Sequence, residues 1–249
     1  VVVDHYGADA AYFAALEQSG AILGVIDDVA DRDLHSADWV LNQNLGADRL
    51  AYRTAPACTL LSGPRYALLR AAFAERRAAL QRVFEGRARR VLVTLGGGDA
   101  SALTADVLAA LEAVGAGFEV RCVVGVGQPP PATGASGKRG VTFLHNVGDM
   151  PDLMAWADMS INAGGSTCWE LCCLGVPMIV IVRVDNQRLP AAALGAAQCA
   201  YVFDEWNGAR HIAELTRVVE RIAGDAQMRC AMSTAAARRS ANAARSKAY

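Results

Sequence analysis

Two glycine-rich segments carry residue types suited to holding a phosphate. Gly96-Gly97-Gly98-Asp99 follows the apolar run Arg90–Leu95 and precedes a helical stretch over about 101–113. Glycines at such a turn let the backbone approach a ligand, and the helix behind it offers free N–H groups. The pattern is neither G-x-G-x-x-G nor a P-loop, so it points to neither NAD nor ATP. An ordinary tight β–α turn reads the same way. Asn162-Ala163-Gly164-Gly165-Ser166-Thr167-Cys168-Trp169-Glu170 repeats the order of strand, glycine pair and helix start. Ser166 or Thr167 can cap that helix. Glu170 has two readings. It completes an S/T-x-x-E capping box with Thr167, or its carboxylate accepts both hydroxyls of a ribose diol. Two such turns at the carboxyl ends of strands in one domain favour a diphosphate nucleotide over a single anion.

Three weaker segments lie at comparable places. Val184-Asp185-Asn186-Gln187 follows the run Met178–Val182 and so belongs to the same rim. Its amides could read sugar hydroxyls, or it is a polar loop. Asp4-His5-Tyr6-Gly7 ends the first apolar run, where open α/β sheets line their ligand crevice. His5 could be a general base or could serve the structure beside Asp4. His145-Asn146 lies in the loop before Met150, where its backbone could face a nucleotide base. Asp27-Asp28 and Asp31-Arg32 lack a well-spaced third ligand, so cap and salt-bridge roles are expected rather than a metal. His35, His145 and His211 show no metal-like spacing.

The elements that must position these residues alternate between strand and helix, which argues for parallel sheets. The strand-like runs include 1–5, 22–26, 39–42, 59–61, 90–95, 118–124, 141–144, 159–162 and 178–182. Residues 9–19 read as an amphipathic helix with Gly20 as its C-cap, 66–85 as a long Ala/Arg-rich helical stretch, and 226–245 as a last one. The segment Gly127–Gly140, with three prolines, reads as a surface loop. The chain has 249 residues and 26.2 kDa, which suits two small α/β domains. The expected organisation is a Rossmann-like part over 1–65, a connector over 66–87, a nucleotide-binding Rossmann-like domain over 88–225 and a helix over 226–249. With 53% hydrophobic and 20% charged residues the chain is globular, not disordered. Twenty-four Lys and Arg against 25 Asp and Glu leave no basic excess for nucleic acid or an acidic membrane surface. The seven cysteines include no C-x-x-C pair, so they read as reduced thiols of a cytoplasmic protein rather than a zinc site. No apolar stretch is long and unbroken enough for the roughly 20 residues of a membrane helix.

In this order, the segments resemble the UDP-sugar hydrolases of pseudaminic acid biosynthesis, a family of GT-B architecture. The resemblance covers roughly residues 1–225. It is carried by Asp4-His5-Tyr6-Gly7, Ile26-Asp27-Asp28, Asn42-Gln43-Asn44, Gly63-Pro64-Arg65-Tyr66-Ala67-Leu68-Leu69-Arg70, Leu95-Gly96-Gly97-Gly98-Asp99, Ala163–Glu170 and Asn186-Gln187. It implies an α/β, GT-B-like fold of two Rossmann-like domains with parallel sheets, the first one incomplete. The implied reaction is hydrolysis of UDP-2,4-diacetamido-2,4,6-trideoxy-β-L-altropyranose: water attacks the anomeric carbon with inversion, and UDP leaves.

By the same resemblance, Gly97, Gly98, Asp99, Gly164, Gly165, Ser166 and Thr167 would hold the diphosphate. Glu170 would hold the ribose, and His145 and Met150 would lie on the nucleotide side. Tyr6, Asn186 and Gln187 match positions lining the sugar site, Tyr6 and Asn186 as supporting catalytic residues. The UDP-sugar is the only implied small-molecule partner, with no metal, cofactor or nucleic acid. The complete protein is expected to be a monomer. The family's G-x-G-H-x-x-R segment, whose His is taken as the general base, does not occur in this sequence. The chain is therefore expected to be an N-terminally truncated piece that binds UDP through residues 95–187 without turning over. The alternatives are a UDP-GlcNAc-type glycosyltransferase or a hydrolysing 2-epimerase of the same fold, or a non-catalytic sugar-nucleotide-binding protein.

Overall fold

The computed structural model describes residues 1–115, 117–125 and 140–240. All but Gly140 of the loop read over Gly127–Gly140 lies outside them, as does the last helical stretch beyond Ser240. The described chain falls into two compact units that divide between Leu68 and Leu69.

The first unit holds β1 (Val2–Val3), α1 (Ala10–Glu17), β2 (Gly24–Ile26), β3 (Asp33–Leu34), β4 (Trp39–Asn42), β5 (Arg53–Thr54) and β6 (Thr59–Ser62). Four strands form a parallel sheet in the order β1-β2-β4-β6, with β1 outermost and Val1 and Val2 exposed. The pairing of β3 with β5 was not legible in two-residue strands. Asp9 starts α1 by accepting the Tyr12 N–H at 2.8 Å, and Gly20, at φ +70°, ends that turn. Phe13, Leu23, Val25, Leu34 and Val40 form the core. Gly24 is required by close approach, since a Cβ there would lie 1.9 Å from the Trp39 ring. Asp27 is buried after β2. It accepts the N–H groups of Val29 and Ala30 and pairs with Arg32 at 2.9 Å. Arg32 also donates to the carbonyls of His5, Tyr6 and Ala8, so one guanidinium ties the loops after β1 and β2.

The second unit begins with α2 (Ala71–Ala79) and continues through β7 (Arg90–Thr94), α3 (Ser101–Val114), β8 (Glu119–Val123), β9 (Val141–Leu144), α4 (Met150–Trp156) and β10 (Met159–Ala163). It ends with α5 (Thr167–Cys173), β11 (Met178–Ile181), α6 (Arg188–Ala196), β12 (Ala200–Phe203), α7 (Gly208–Gly224) and α8 (Ala226–Ser240). Six parallel strands run in the order β12-β11-β10-β7-β8-β9. All residues of β10 and β11 are buried because helices cover both faces of the sheet; β11 is a continuous apolar run, while β10 carries the buried polar residues Ser160 and Asn162. On one face α3 packs against α7 over Val91, Val93, Val107, Leu111, Leu215 and Val219. Elsewhere α5 packs on α8 and α2, and α2 on α4. Among the described residues no helix is long and apolar enough to cross a membrane.

The long helix expected over 66–85 is not formed. A short 3-10 turn covers Pro64–Tyr66, and α2 stops at Ala79. Tertiary hydrogen bonding overrides helix propensity beyond that point. Arg82 donates through Nε to Leu174 O at 2.5 Å, and through its Nη atoms to Ala157 O and Met154 O at 2.8 and 3.0 Å. These carbonyls end α4 and α5, where a cation also meets the negative end of the helix dipole. Burial lowers the Arg82 pKa to about 10, which still leaves it charged at neutral pH. Replacing Arg82 by Ala strands three carbonyls and should lower unfolding free energy by about 3 kcal/mol. A shift of the urea midpoint to lower concentration at unchanged m-value would report it.

Candidate functional site

Register decides where the loops of the second unit meet. Thr94 of β7 pairs with Asn162 of β10, and Ala163 of β10 pairs with Ile181 of β11. Their following loops therefore leave one sheet edge side by side, about 4.8 Å apart strand to strand. Because β8 and β9 extend the sheet away from β10, the gap between β7 and β10 is the point where strand order reverses. Open α/β sheets bind ligands in the crevice at such a point.

The turn after β7 opens with Gly96 at φ +90°, a left-handed conformation that a side chain would strain. A Cβ on Gly97 or Gly98 would meet nothing within 4 Å, so both glycines face open space. Asp99 is exposed, and its Oδ1 accepts the Ser101 N–H at 3.0 Å. That backbone bond, with a side-chain bond from Ser101, holds the Asp99 carboxyl below the usual carboxylate range. Asp99 thus shapes the start of α3. Arg183 reaches this turn from the far side of β11, with Nη1 donating to Leu95 O at 2.5 Å and Nη2 to Asp99 O at 2.6 Å.

The turn after β10 packs on the loop after β11. A Cβ on Gly164 would come within 3.1 Å of Gln187 Cβ, and one on Gly165 within 3.9 Å of Gln187 Nε2. Buried Asn162 secures the end of β10. Its Nδ2 donates to Ala163 O at 3.0 Å and to Cys168 Sγ at 3.3 Å, and its Oδ1 accepts the Ser160 hydroxyl at 2.9 Å. Ser166 occupies the N-cap of α5 without a side-chain capping bond, and Thr167 is the first helical residue. The capping box between Thr167 and Glu170 is therefore not formed. The Glu170 carboxylate, 22% exposed, lies 3.9 Å from Arg70 Nη2. Burial raises its pKa, and the Arg70 charge opposes that rise. Asn186 and Gln187, half-buried, sit in a 3-10 turn over Asp185–Gln187. The Arg183 N–H donates to Gln187 Oε1 at 3.0 Å.

The remaining expected residues are His145 and Met150 of the second unit and Tyr6 of the first. His145 is exposed after β9, the edge strand, so it shares the rim but stands about 10 Å from the end of β7. Met150 opens α4, which Asp149 caps by accepting the Asp152 N–H at 3.0 Å. Tyr6 belongs to the first unit. Its ring is 59% exposed, and its hydroxyl donates to Asp28 Oδ2 at 2.6 Å while Asn44 Nδ2 donates to Asp28 Oδ1 at 2.7 Å. His5 accepts the Gly7 N–H on Nδ1 at 3.0 Å, a bond that shapes its own turn. Sequence reasoning passed over Arg183 as a site residue. The available signal was a charge placed directly after the uncharged run Met178–Val182. Arg70 was quoted in a motif but given no role, because nothing local in the chain connects it to Glu170.

The fold is α/β and GT-B-like, with two Rossmann-like units built on parallel sheets. The chain is similar to Phytolacca americana UGT2, solved with UDP-2fluoro-glucose and pterostilbene, at a TM-score of 0.66 and 13% identity over 99% of this chain and 71% of that one. It is similar to Acinetobacter baumannii MurG at a TM-score of 0.60 and 15% identity, over 95% and 68% of the two chains. At these identities the likeness is one of fold. Residues 90–247 match the glycosyltransferase family 28 C-terminal domain, and the chain belongs to that family. The spore coat polysaccharide biosynthesis protein SpsG of Bacillus subtilis is 27% identical over 197 residues, 77% of this chain and 58% of that protein. The chain thus spans less than two thirds of the length of this curated relative.

A carboxylate whose pKa is raised on folding destabilises the folded state once it ionises. Glu170→Gln should therefore stabilise the unliganded protein at neutral pH. The gain should shrink as pH falls through the raised Glu170 pKa towards 4.5, the ordinary value, because the wild-type carboxyl is then neutral too. Thermal melts of both proteins between pH 7 and pH 4 check the sign. An equal difference at every pH would remove Glu170 ionisation as its cause.

Proposed function

We propose that this chain binds a UDP-sugar through the second unit and comes from a hydrolase that cleaves UDP-2,4-diacetamido-2,4,6-trideoxy-β-L-altropyranose with inversion. One observation carries the nucleotide part of this reading. The loops after β7, β10 and β11 meet at the strand-order reversal with Gly97 and Gly98 facing open space. Backbone N–H groups of Gly97, Gly98, Gly164, Gly165 and Ser166 would take the diphosphate, with Thr167 beside them, and would stabilise charge on the leaving group. Asp99 keeps the turn in shape. Glu170, not engaged in a capping box, would accept the ribose hydroxyls, and Arg70 would help keep it ionised. His145 and Met150 would border the base. Asn186 and Gln187 would face the sugar, and Tyr6 keeps the sugar-side role that the resemblance implies. The hydrolase reading rests on that resemblance. UGT2, with its UDP-2fluoro-glucose, lends support to a UDP-sugar as ligand.

A second reading has an observation of its own. Membership of glycosyltransferase family 28 favours transfer of the sugar to an acceptor rather than to water. The two differ in one readout. A hydrolase releases UDP without an acceptor, and a transferase needs one. That assay needs a protein that carries the base, since this sequence contains no G-x-G-H-x-x-R segment to supply it. For the 249-residue chain the expected result is UDP binding in calorimetric titration with no turnover. Glu170→Ala should weaken that binding about tenfold or more, given roughly 1.5–3 kcal/mol for hydrogen bonds to a charged group. Unchanged affinity would remove Glu170 from the site, and robust hydrolysis by the chain alone would sink the binding-only assignment.

A further inference from the structure

Arg183 stands where three loops meet, and no sequence motif marks it. It follows β11 directly, yet its side chain serves the turn after β7. The guanidinium brackets that turn at both ends, holding Leu95 O and Asp99 O at 2.5 and 2.6 Å. Two fixed carbonyls fix the peptide planes that flank Gly96, Gly97 and Gly98. A planar fork can hold two separated acceptors at once, whereas an ammonium on a flexible stem is a point charge. Both bonds go to neutral carbonyls, so neither neutralises the guanidinium beside the turn. The same residue controls the next loop. Its N–H donates to Gln187 Oε1 at 3.0 Å, and the Gln187 N–H returns to Val184 O at 3.0 Å. Gln187 is in turn the neighbour of Gly164 and Gly165.

We propose that Arg183 is a positioning residue that sets the Gly96–Asp99 turn in its phosphate-binding shape and couples it to the Asn186-Gln187 loop. This rests on the diphosphate reading above. Arg183 acts through the backbone it holds, so it governs the diphosphate part of a ligand and leaves the nucleoside part alone.

The test uses the 249-residue chain, with UDP and uridine as probes and amide hydrogen exchange in the free protein as a separate readout. Arg183→Lys keeps the charge and removes the fork. It should lower UDP affinity by about tenfold or more, because a loosened turn must be ordered on binding at a cost in conformational entropy, and leave uridine affinity within about twofold. Amides of residues 96–101 should exchange faster in the variant while those of β7 and β10 keep wild-type rates. Arg183→Ala should act in the same direction. If it proves poorly folded, the Lys variant carries the test. Wild-type exchange over 96–101 in Arg183→Lys would overturn the bracket. Equal losses for UDP and uridine would overturn its action on the diphosphate. If the wild-type chain binds no UDP, the nucleotide reading fails, and the exchange measurement still decides whether Arg183 holds the turn.

Discussion

In the second unit, β7 and β10 are hydrogen-bonded neighbours that are far apart in sequence. Everything at the rim depends on that pairing. The helices that follow the two strands diverge: α3 packs with α7, and α5 packs with α8 and α2. Two connections that diverge from adjacent strands leave a gap that neither backbone can fill, and the glycine-rich turns border it. The same pairing brings the β11 loop alongside, because β11 is the other neighbour of β10. The site is thus a consequence of strand order before it is a consequence of side chains.

Arginines then fix what strand order leaves loose, mostly by donating to carbonyls. Arg82 gathers the ends of α4 and α5, Arg183 gathers the rim turns, and Arg32 does comparable work in the first unit. A guanidinium offers five donors in one plane, which suits several carbonyls converging from different segments. At helix ends those carbonyls also carry the negative end of the dipole, which offsets part of the cost of burying the charge.

The alternating elements and the two glycine-rich turns were legible because they depend on local pattern: apolar runs broken by glycine and followed by helical periodicity. The parallel sheets were legible from the alternation of strand-like and helical runs. The end of α2 was not, because Arg82 finds its three acceptors 72 to 92 residues away. Glu170 was left with two readings because a capping box and a ligand carboxylate share one spelling. Only the position of the N-cap, at Ser166 rather than Thr167, separates them. Arg183 and Arg70 escaped notice for the same reason as Arg82, since their partners are distant in the chain. Tyr6 was read from its place at a strand end, but its bond to Asp28 spans 22 residues and left no local mark.

Arg229 gives the second unit one more property. Buried on α8, it donates to Ile222 O and Ala223 O at the end of α7, and to Gly86 O in the stretch leading into β7. Gly86 stands just before β7 and Ala223 near the end of α7, so this one side chain closes the whole run of strands and helices between them into a ring.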